Sequence, residues 1–373
     1  MRKTMKVCHV TSLHPPFDVR IFHKECGTLA QAGYDVTLLA QADWREKVVG
    51  GIRVLGLPGI ARRYHRPRLW RLIVSQVEWL KPDIVHFHDP ELLLIAPFLR
   101  PARLVYDCHE PTAETMLVRR WIPSPLRYPV SRLIAFLEPV LARWTDAIVV
   151  TEDSHIEPFQ KCGRPVVLLY NFPPLSNLGI ACHGDGKTIL HVGTLSEGRG
   201  AGTMIEAMKR VVQRVPGARL LLVGSFGCLA DEIELRHLIA VCGLEETVVL
   251  AGWVPFSELP KWFVQSDIGL VPWHTKKKFP PQVIPTKMFE YMSFGLPVVA
   301  SNRLTIRRFM DGLDCGLLVE PGDPPALAEA IEYLLSRPAE ARRMGERGRQ
   351  AVEERYHWEA EGEKLVALYR QLT

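Results

Sequence analysis

The sequence lacks most features that would place a chain inside a membrane or in an oxidising compartment. Its eight cysteines form no Cys-x-x-Cys pair and show no recurring spacing, which argues against a disulfide framework. The longest apolar runs, residues 92–99 and 133–150, are short or are broken by proline or charge, so no bilayer span is expected. The N-terminus shows no apolar region with a cleavage site, so no signal peptide is expected. We therefore predict a cytoplasmic protein with reduced thiols.

Acidic residues are absent between Lys47 and Val77, where arginines accumulate beside aromatic residues. Residues 1–172 contain 23 Lys and Arg against 17 Asp and Glu, whereas the remainder contains 23 against 24. The basic segment is defined by Arg62, Arg63, Arg66, Arg68 and Arg71. This pattern favours contact with an anionic membrane surface or an anionic acceptor, and an ordinary solvated basic face is the alternative. No nucleic-acid-binding module accompanies it, so a nucleic-acid partner is not expected.

A chain of 373 residues exceeds the usual size of a single hydrophobic core, which predicts two domains with a ligand site in the cleft between them. Short β-branched and apolar runs alternate with helical stretches along both halves, a pattern typical of parallel sheets covered by helices. The predicted strands are residues 6–11, 35–39, 84–88, 104–107, 147–151, 166–169, 188–192, 219–223, 248–251, 268–271 and 297–300. The fold class is therefore α/β, with two Rossmann-like domains whose parallel sheets face a central cleft.

Proline, glycine and asparagine concentrate around residues 173–186, which indicates a linker. We place the first domain at residues 1–172 and the second at residues 187–355. Residues 356–373 carry helical apolar spacing and are expected to pack back on the first domain.

Polar residues follow several of the predicted strands, where ligands collect in parallel sheets. In the first half these are residues 11–20, 86–91 and 107–110. In the second half a glycine-rich loop, residues 193–200, precedes a helix and contains Arg199. Glycine flexibility with a guanidinium at a helix start predicts a diphosphate clamp.

The segment Pro285–Ser301 (PTKMFEYMSFGLPVVAS) predicts a loop, a short helix and a buried strand. Gly295 stands where a left-handed residue would end the helix. Lys287 lies in the first turn and is expected to contact a phosphate, while Glu290 can accept two ribose hydroxyls. An ordinary capped surface helix is the alternative.

The spacing of residues gives less support to two other kinds of site, a nicotinamide dinucleotide site and a metal site. No Gly-x-Gly-x-x-Gly follows a strand, so a nicotinamide dinucleotide site is not predicted. His86, His88, Asp89 and His109 lack the cysteine or carboxylate spacing typical of zinc, so we predict hydrogen-bonding roles and no metal.

Four separated segments, together with residues 315–323 and 344–349, make the chain resemble the retaining glycosyltransferases of family 4, which have the GT-B fold. The four segments are residues 9–25 with 33–37, residues 105–110, the loop of residues 193–200 and residues 285–301. The pattern at residues 285–290 looks like a subgroup associated with cell-surface polysaccharides. The resemblance covers nearly the whole chain.

This resemblance implies metal-independent transfer of a sugar, with retention, from a nucleotide-sugar donor to a saccharide acceptor. The donor is expected to be a UDP-sugar and the acceptor lipid-linked, which suits a protein at the inner face of the cell membrane. No cofactor is implied. By analogy, catalysis is assigned to His109, Arg199 and Lys287, donor binding to Gly193, Thr194, Arg199, Gly224, Val254, Gln282, Lys287 and Glu290, and acceptor binding to Asp18, Arg20, His88, Asp89 and Glu110.

The sequence departs from the family pattern at two positions. Thr194 stands where an arginine usually follows the glycine, and Gln282 stands where the first of two glutamates usually lies. Lys287 is the predicted replacement for the missing arginine, and the Gln282 amide can still bind a hydroxyl. These departures keep two alternatives open, a catalytically silent nucleotide-sugar sensor or scaffold and a sugar-nucleotide 2-epimerase.

Overall fold

The computed structural model of the chain describes residues 4–60, 65–119, 121–179, 184–274 and 283–373. The chain divides into two compact units, one formed by Met1–Asn171 with Trp358–Thr373 and the other by Phe172–His357. Residues 173–186, assigned to a linker from the sequence, are thus counted with the second unit. Arg62, Arg63 and Gln282 lie outside the described residues.

The first unit contains an eight-stranded sheet in the described part of the chain, in the order β3-β4-β2-β1-β5-β6-β7-β8. Its strands are β1 (Lys6–Val10), β2 (Asp35–Gln41), β3 (Glu46–Val49), β4 (Ile52–Leu57), β5 (Ile84–Phe87), β6 (Arg103–Cys108), β7 (Ala147–Val150) and β8 (Val166–Leu168). All neighbours pair in parallel except β3, which runs antiparallel to β4. Parallel strands are apolar on both faces because helices cover both faces.

The second unit contains a six-stranded parallel sheet, again counting the described residues, in the order β11-β10-β9-β12-β13-β14. Its strands are β9 (Thr188–Val192), β10 (Arg219–Val223), β11 (Val248–Gly252), β12 (Ile268–Val271), β13 (Val298–Ser301) and β14 (Gly316–Val319). Apolar side chains of β9, β10 and β12 pack against helices to form its core. The predicted class, two parallel-sheet α/β domains, is confirmed.

Helices cover the sheets of both units. The α-helices are α1 (Gly27–Gln31), α2 (Arg66–Leu80), α3 (Thr112–Met116), α4 (Ser124–Ala142), α5 (Ile156–Phe159), α6 (Ala201–Arg214), α7 (Leu229–Cys242), α8 (Leu259–Val264), α9 (Thr286–Ser293), α10 (Leu304–Met310), α11 (Pro324–Ser336), α12 (Pro338–Glu354) and α13 (Trp358–Leu372). A π-helix, Val19–Cys26, precedes α1. Among the described helices, none has both the length and the hydropathy required to cross a bilayer.

The predicted strands are confirmed as strands, but the sequence analysis missed β3, β4 and β14. The β3–β4 hairpin turns at Gly50 and Gly51, which both have positive φ angles. A Gly-Gly pair between two β-branched runs is a hairpin signal that the sequence contains at this position. Helix α13 packs on β1 and β2 of the first unit through Leu365, Leu368 and Tyr369.

Candidate active site

The carboxyl ends of β1, β5 and β6 bring a dense cluster of ionisable side chains together in the first unit. His9, His86, His88 and Asp107 are each at most 2% exposed. These positions are neighbours because the three strands pair in parallel, with His9 opposite His86. Buried ionisable groups are costly unless they are paired, so their concentration at a strand end indicates a functional site.

Asp107 holds His109, the residue assigned to catalysis. The Nε2 atom of His109 lies 3.1 Å from Oδ2 of Asp107 and 3.1 Å from Nδ1 of His88. Burial alone would raise the pKa of Asp107, but the guanidinium of Arg20, followed by His109, outweighs burial and holds that pKa well below its usual range. An ionised Asp107 therefore orients the His109 ring, which is 13% exposed.

Glu25 lies beside Asp107 in the same cluster, and its pKa is shifted in the opposite direction. Burial, reinforced by the negative charge of Asp107, raises the pKa of Glu25 well above its usual range despite Arg20. Arg20 Nε is 2.9 Å from Oε1 of Glu25 and Arg20 Nη2 is 3.2 Å from Oδ2 of Asp107. One guanidinium is thus shared by two carboxyl groups, and burial favours the protonated form of Glu25.

Ligand atoms in this cluster are close enough to hold a metal ion. Two sets, Glu25 with His88, Asp107 and His109, and Glu25 with His9 and His86, have atoms within 4.8 Å of one another. The guanidinium of Arg20 already supplies positive charge there. The prediction that no metal is required stays a prediction.

A chain of hydrogen bonds extends from His109 to the last helix. His88 Nε2 lies 2.9 Å from His9 Nδ1, His9 Nε2 lies 3.4 Å from the hydroxyl of Tyr369, and that hydroxyl lies 2.8 Å from His86 Nδ1. Burial lowers the pKa of His9 and His86 well below the ordinary value, and lowers that of His88 to about 4. These imidazoles are neutral, so in each ring one nitrogen can donate a hydrogen bond and the other can accept one.

Three of the five predicted acceptor contacts are buried in this structure. Arg20 and His88 belong to the cluster above, and Asp89 is 1% exposed. Asp89 Oδ2 accepts hydrogen bonds from Thr11 Oγ1 at 2.9 Å and from the Ser12 backbone N–H at 2.6 Å, which fixes the loop after β1. Side chains this deeply enclosed shape the site, and a direct contact with an acceptor is not available to them here.

The other two predicted acceptor contacts reach solvent. Glu110 is exposed. The side chain of Asp18 is 25% exposed and caps the π-helix by accepting hydrogen bonds from the Arg20 and Ile21 backbone N–H groups, each at 2.9 Å. The carboxylate of Asp18 is therefore already used in part by the backbone.

In the second unit, the glycine-rich loop after β9 crosses the end of β10 at very short range. A Cβ atom on Gly224 would lie 2.0 Å from the carbonyl oxygen of Gly193, and Gly224 has φ of 148°. Leu195 continues the contact through a parallel bridge with Phe226. Both predicted glycines are therefore required for the backbone path that positions the loop.

We predict that Gly224→Ala removes nucleotide binding, because the new methyl group must displace the Gly193 carbonyl and the loop that follows. Isothermal titration with UDP and GDP measures the loss, which should exceed about tenfold since a displaced loop loses charge-assisted contacts. Gly243→Ala is the matched control, because Gly243 has φ of 66° and a Cβ atom added there would meet nothing within 4 Å. Equal affinities in the two variants would contradict the role of the crossing.

Two cations predicted to bind the donor converge on the end of β9. His191, on that strand, has its pKa lowered to about 4, first by burial and then by the positive charges of Arg199 and Lys287. His191 Nδ1 lies 3.1 Å from the carbonyl oxygen of Leu270, so Nδ1–H donates to it. The guanidinium of Arg199 stacks on Trp273, 4.7 Å from the ring centroid. The end of β9 therefore carries a positive field suited to an anion.

Lys287 and Glu290 are brought together on helix α9. Lys287 Nζ lies 2.9 Å from Oε2 of Glu290, and the two side chains are 29% and 14% exposed. The predicted helix and its left-handed end at Gly295, with φ of 71°, are confirmed. If Lys287 contacts a phosphate and Glu290 contacts the ribose as predicted, these contacts would either form beside this ion pair or replace it.

Tyr291 ties α9 to the glycine-rich loop, and the sequence analysis did not identify it. Its hydroxyl accepts a hydrogen bond of 2.8 Å from the backbone N–H of Val192, the residue before Gly193. The Tyr291 ring occupies the space above Gly269 of β12, where a Cβ atom would lie 2.3 Å from the ring. This contact aligns the helix that carries Lys287 with the strand that ends at the loop.

The remaining predicted donor contacts differ in accessibility. Thr194 is exposed, Val254 is partly exposed, and its neighbour Trp253 is 72% exposed. A cavity of about 450 Å³ lies beside them within the second unit. Its lining residues include Leu195, Gly224, Phe226, Glu232, Arg236 and Gly252.

Both compact units match models of known protein families. Residues 19–176 match the family model described as Glycosyltransferase Family 4, and residues 186–337 match the model described as Glycosyl transferases group 1. Phosphatidyl-myo-inositol mannosyltransferase of Mycobacterium leprae is 26% identical over 92% of this chain and 87% of its own length. A GDP-mannose-dependent alpha-(1-6)-phosphatidylinositol monomannoside mannosyltransferase of Mycobacterium tuberculosis is 27% identical over 50% of this chain and 48% of its own.

A solved structure shows the same fold over the full length. Sucrose-phosphate synthase from Thermosynechococcus elongatus superposes with a TM-score of 0.78 at 20% identity, covering 99% of both chains. The two family models together span both parallel-sheet units. The chain therefore belongs to the family 4 glycosyltransferases with the GT-B fold.

Proposed function

We propose that this glycosyltransferase moves a sugar from a nucleoside diphosphate sugar to a saccharide acceptor, with retention of the anomeric configuration and without a required metal ion. The observation that carries the proposal is the convergence of Arg199 and Lys287 on the end of β9, which also lowers the pKa of His191. Two fixed cations beside a glycine-rich loop can take the place of a divalent ion on a diphosphate.

In the proposed reaction, the bond between the sugar C1 and the β-phosphate oxygen breaks while the acceptor hydroxyl oxygen bonds to C1 from the same face. The hydroxyl proton passes to the departing phosphate oxygen, so the protein supplies no nucleophile. Arg199 and Lys287 stabilise the charge that develops on the diphosphate. His109, oriented by Asp107 at 3.1 Å, is the residue we assign to the donor sugar near C1.

The donor nucleotide has two candidates. The sequence resemblance favours a UDP-sugar, whereas the name of the Mycobacterium tuberculosis relative specifies GDP-mannose. We keep UDP-sugar as the first candidate and GDP-mannose as the second. The exposed Trp253 and the cavity beside Gly224 offer apolar and aromatic surface for a base of either size.

For the acceptor, we propose a saccharide attached to lipid, in glycolipid or polysaccharide biosynthesis. The names of both relatives above specify phosphatidylinositol-based acceptors, which lie in membranes. The basic segment of α2, with Arg66, Arg68 and Arg71, would meet anionic headgroups at the inner face of the membrane. Asp18 and Glu110 are the solvent-accessible carboxylates that could bind acceptor hydroxyls.

A donor panel tests the proposal. Purified protein is incubated in EDTA with UDP- and GDP-sugars, and nucleotide release and sugar products are followed by mass spectrometry. We expect slow release of one nucleotide with free sugar, because a bound donor can react with water when the acceptor is missing. A requirement for added Mg²⁺ or Mn²⁺ would contradict the cationic role of Arg199 and Lys287.

The same panel separates the two alternatives kept from the sequence. An isomerised donor without acceptor would indicate the sugar-nucleotide 2-epimerase. Tight binding without conversion, in the presence of lipid-linked saccharide acceptors, would indicate the sensor or scaffold that Thr194 and Gln282 suggest.

A further inference from the structure

Helix α4 of the first unit exposes an unusual amount of apolar surface. Of the 24 large hydrophobic side chains that the described residues expose, ten lie between residues 117 and 144. These are Leu117, Val118, Trp121, Leu126, Tyr128, Leu133, Phe136, Leu137, Val140 and Trp144. We call them the α4 face. A cluster of this kind marks an interaction surface, whereas singly scattered exposed residues do not.

The apolar stripe within helix α4 lies on the side that points away from the protein, and Leu117, Val118, Trp121 and Trp144 flank the helix in sequence. At about 100° per residue, Leu126, Leu133, Leu137 and Val140 share one stripe, and Phe136 flanks it. The buried residues of the helix, Ser131, Glu138 and Ala142, lie on the opposite side. A surface helix normally buries its apolar side. Because α4 exposes its apolar stripe instead, we expect that side to contact an apolar environment.

The side that faces the protein is polar for a specific reason. Oε1 of Glu138 accepts hydrogen bonds from the hydroxyl of Tyr106 at 2.6 Å and from Oγ1 of Thr112 at 2.9 Å. Burial raises the pKa of Glu138. The inward contacts thus fix the orientation of the helix, so the apolar stripe cannot turn inward without breaking them.

Within residues 117–144, the exposed charges have one sign. Arg132 and Arg143 are exposed along one border of the stripe, Arg127 is half-buried on the other side, and Arg119 is exposed just before the helix. Between Met116 and Thr145 the single acidic residue is Glu138, which is buried. An apolar stripe bordered by arginines, with tryptophans at both ends and no exposed carboxylate between residues 117 and 144, matches an anionic interface with an apolar interior.

We propose that the α4 face docks the protein on an anionic lipid bilayer, with the apolar stripe inserted at the level of the acyl chains and the arginines among the headgroups. This surface is distinct from the basic segment of α2 and makes a different kind of contact, since its apolar side chains must leave water. The proposal does not depend on the donor chemistry proposed above.

Vesicle sedimentation tests the docking surface in the absence of any nucleotide sugar. Vesicles of phosphatidylcholine alone are compared with vesicles containing about one third phosphatidylglycerol. Substituting three residues of the α4 face, Leu133→Ser, Phe136→Ser and Val140→Ser, should weaken partition of the protein onto vesicles by about 100-fold, because three apolar side chains no longer leave water. Arg132→Gln with Arg143→Gln should weaken binding by about fivefold per arginine and reduce its salt dependence.

A matched triple variant controls for the loss of exposed apolar side chains in general. Ile233, Val241 and Leu304 of the second unit are 61%, 66% and 79% exposed, and their replacement by serine should leave partition unchanged. A control for the basic segment replaces Arg66, Arg68 and Arg71 with glutamine. Thermal unfolding confirms that each variant is folded, and release of nucleotide from a soluble donor reports the proposed chemistry separately.

Tryptophan fluorescence gives a second readout of the same contact. Brominated acyl chains should quench emission of the bound protein, and Trp121→Phe with Trp144→Phe should remove most of that quenching. Three results would overturn the proposal. The first is wild-type protein that does not bind anionic vesicles, and the second is vesicle binding that is lost only in the α2 variant. The third is self-association that the stripe substitutions abolish without any vesicle binding, which would assign the face to a second copy of this chain.

Discussion

His109→Ala is expected to lower the rate of sugar transfer by about 10²- to 10⁴-fold, the range typical for removal of one positioned catalytic side chain. Nucleotide binding should remain within about twofold, because Arg199, Lys287 and the glycine-rich loop belong to the other unit. Calorimetric titration with the nucleotide and steady-state turnover with the active donor separate the two effects.

Two further variants make this result specific. His237→Ala removes an exposed histidine of α7 and should leave turnover unchanged. Asp107→Asn should keep the side-chain shape but withdraw the charge that orients His109 at 3.1 Å, and is expected to lower turnover in part. Wild-type turnover in His109→Ala would remove this residue from the mechanism.

The second large effect is expected from the two cations of the second unit. Arg199→Met and Lys287→Met should each weaken donor binding by about 10- to 100-fold, since each removes a charge-assisted contact worth about 1.5–3 kcal/mol. Lowered turnover in addition to weaker binding would indicate that the contact strengthens as the diphosphate departs. Titration of the donor and a steady-state analysis measure both quantities.

Lys209→Met provides the control, because Lys209 is exposed on α6. Lys287 also pairs with Glu290 at 2.9 Å, so Glu290→Gln removes the charge that holds the ammonium group and leaves an amide at the predicted ribose contact. If Lys287 serves only that ion pair, Lys287→Met and Glu290→Gln will change stability alike and leave donor affinity unchanged, which would contradict the proposed role.

Much of the local structure of the predicted donor site can be derived from residues that are close together in the sequence. Pro285 before the helix, Lys287 in its first turn and Gly295 at its end are predicted by capping chemistry, and the helix and its left-handed end are found there. Short apolar runs likewise predicted most of the parallel strands of both sheets, although β4 and β14 were missed. These features depend on residues near one another in the chain, so a local pattern contains the information.

The hydrogen-bonded cluster around His109 could be predicted only in part. Asp107 and His109 were recognisable as polar residues at the end of an apolar strand. Tyr369 was not, because its contact with His86 joins residues 283 positions apart. Arg20, His88 and Asp89 looked like acceptor contacts by position, but burial was invisible in the sequence, and the structure places them beneath the site.

The amino-acid sequence by itself determined the fold class, the family and the residues predicted to form the donor site, since strand periodicity and helix caps are local properties. The tertiary structure alone decided which of these residues meet. It places Glu25 beside Asp107 with their pKa values shifted in opposite directions, ties Tyr291 to Val192, and turns the apolar stripe of α4 outward. The physical reason is that burial and charge state depend on what packs around a side chain, and strand order brings those neighbours from distant parts of the chain.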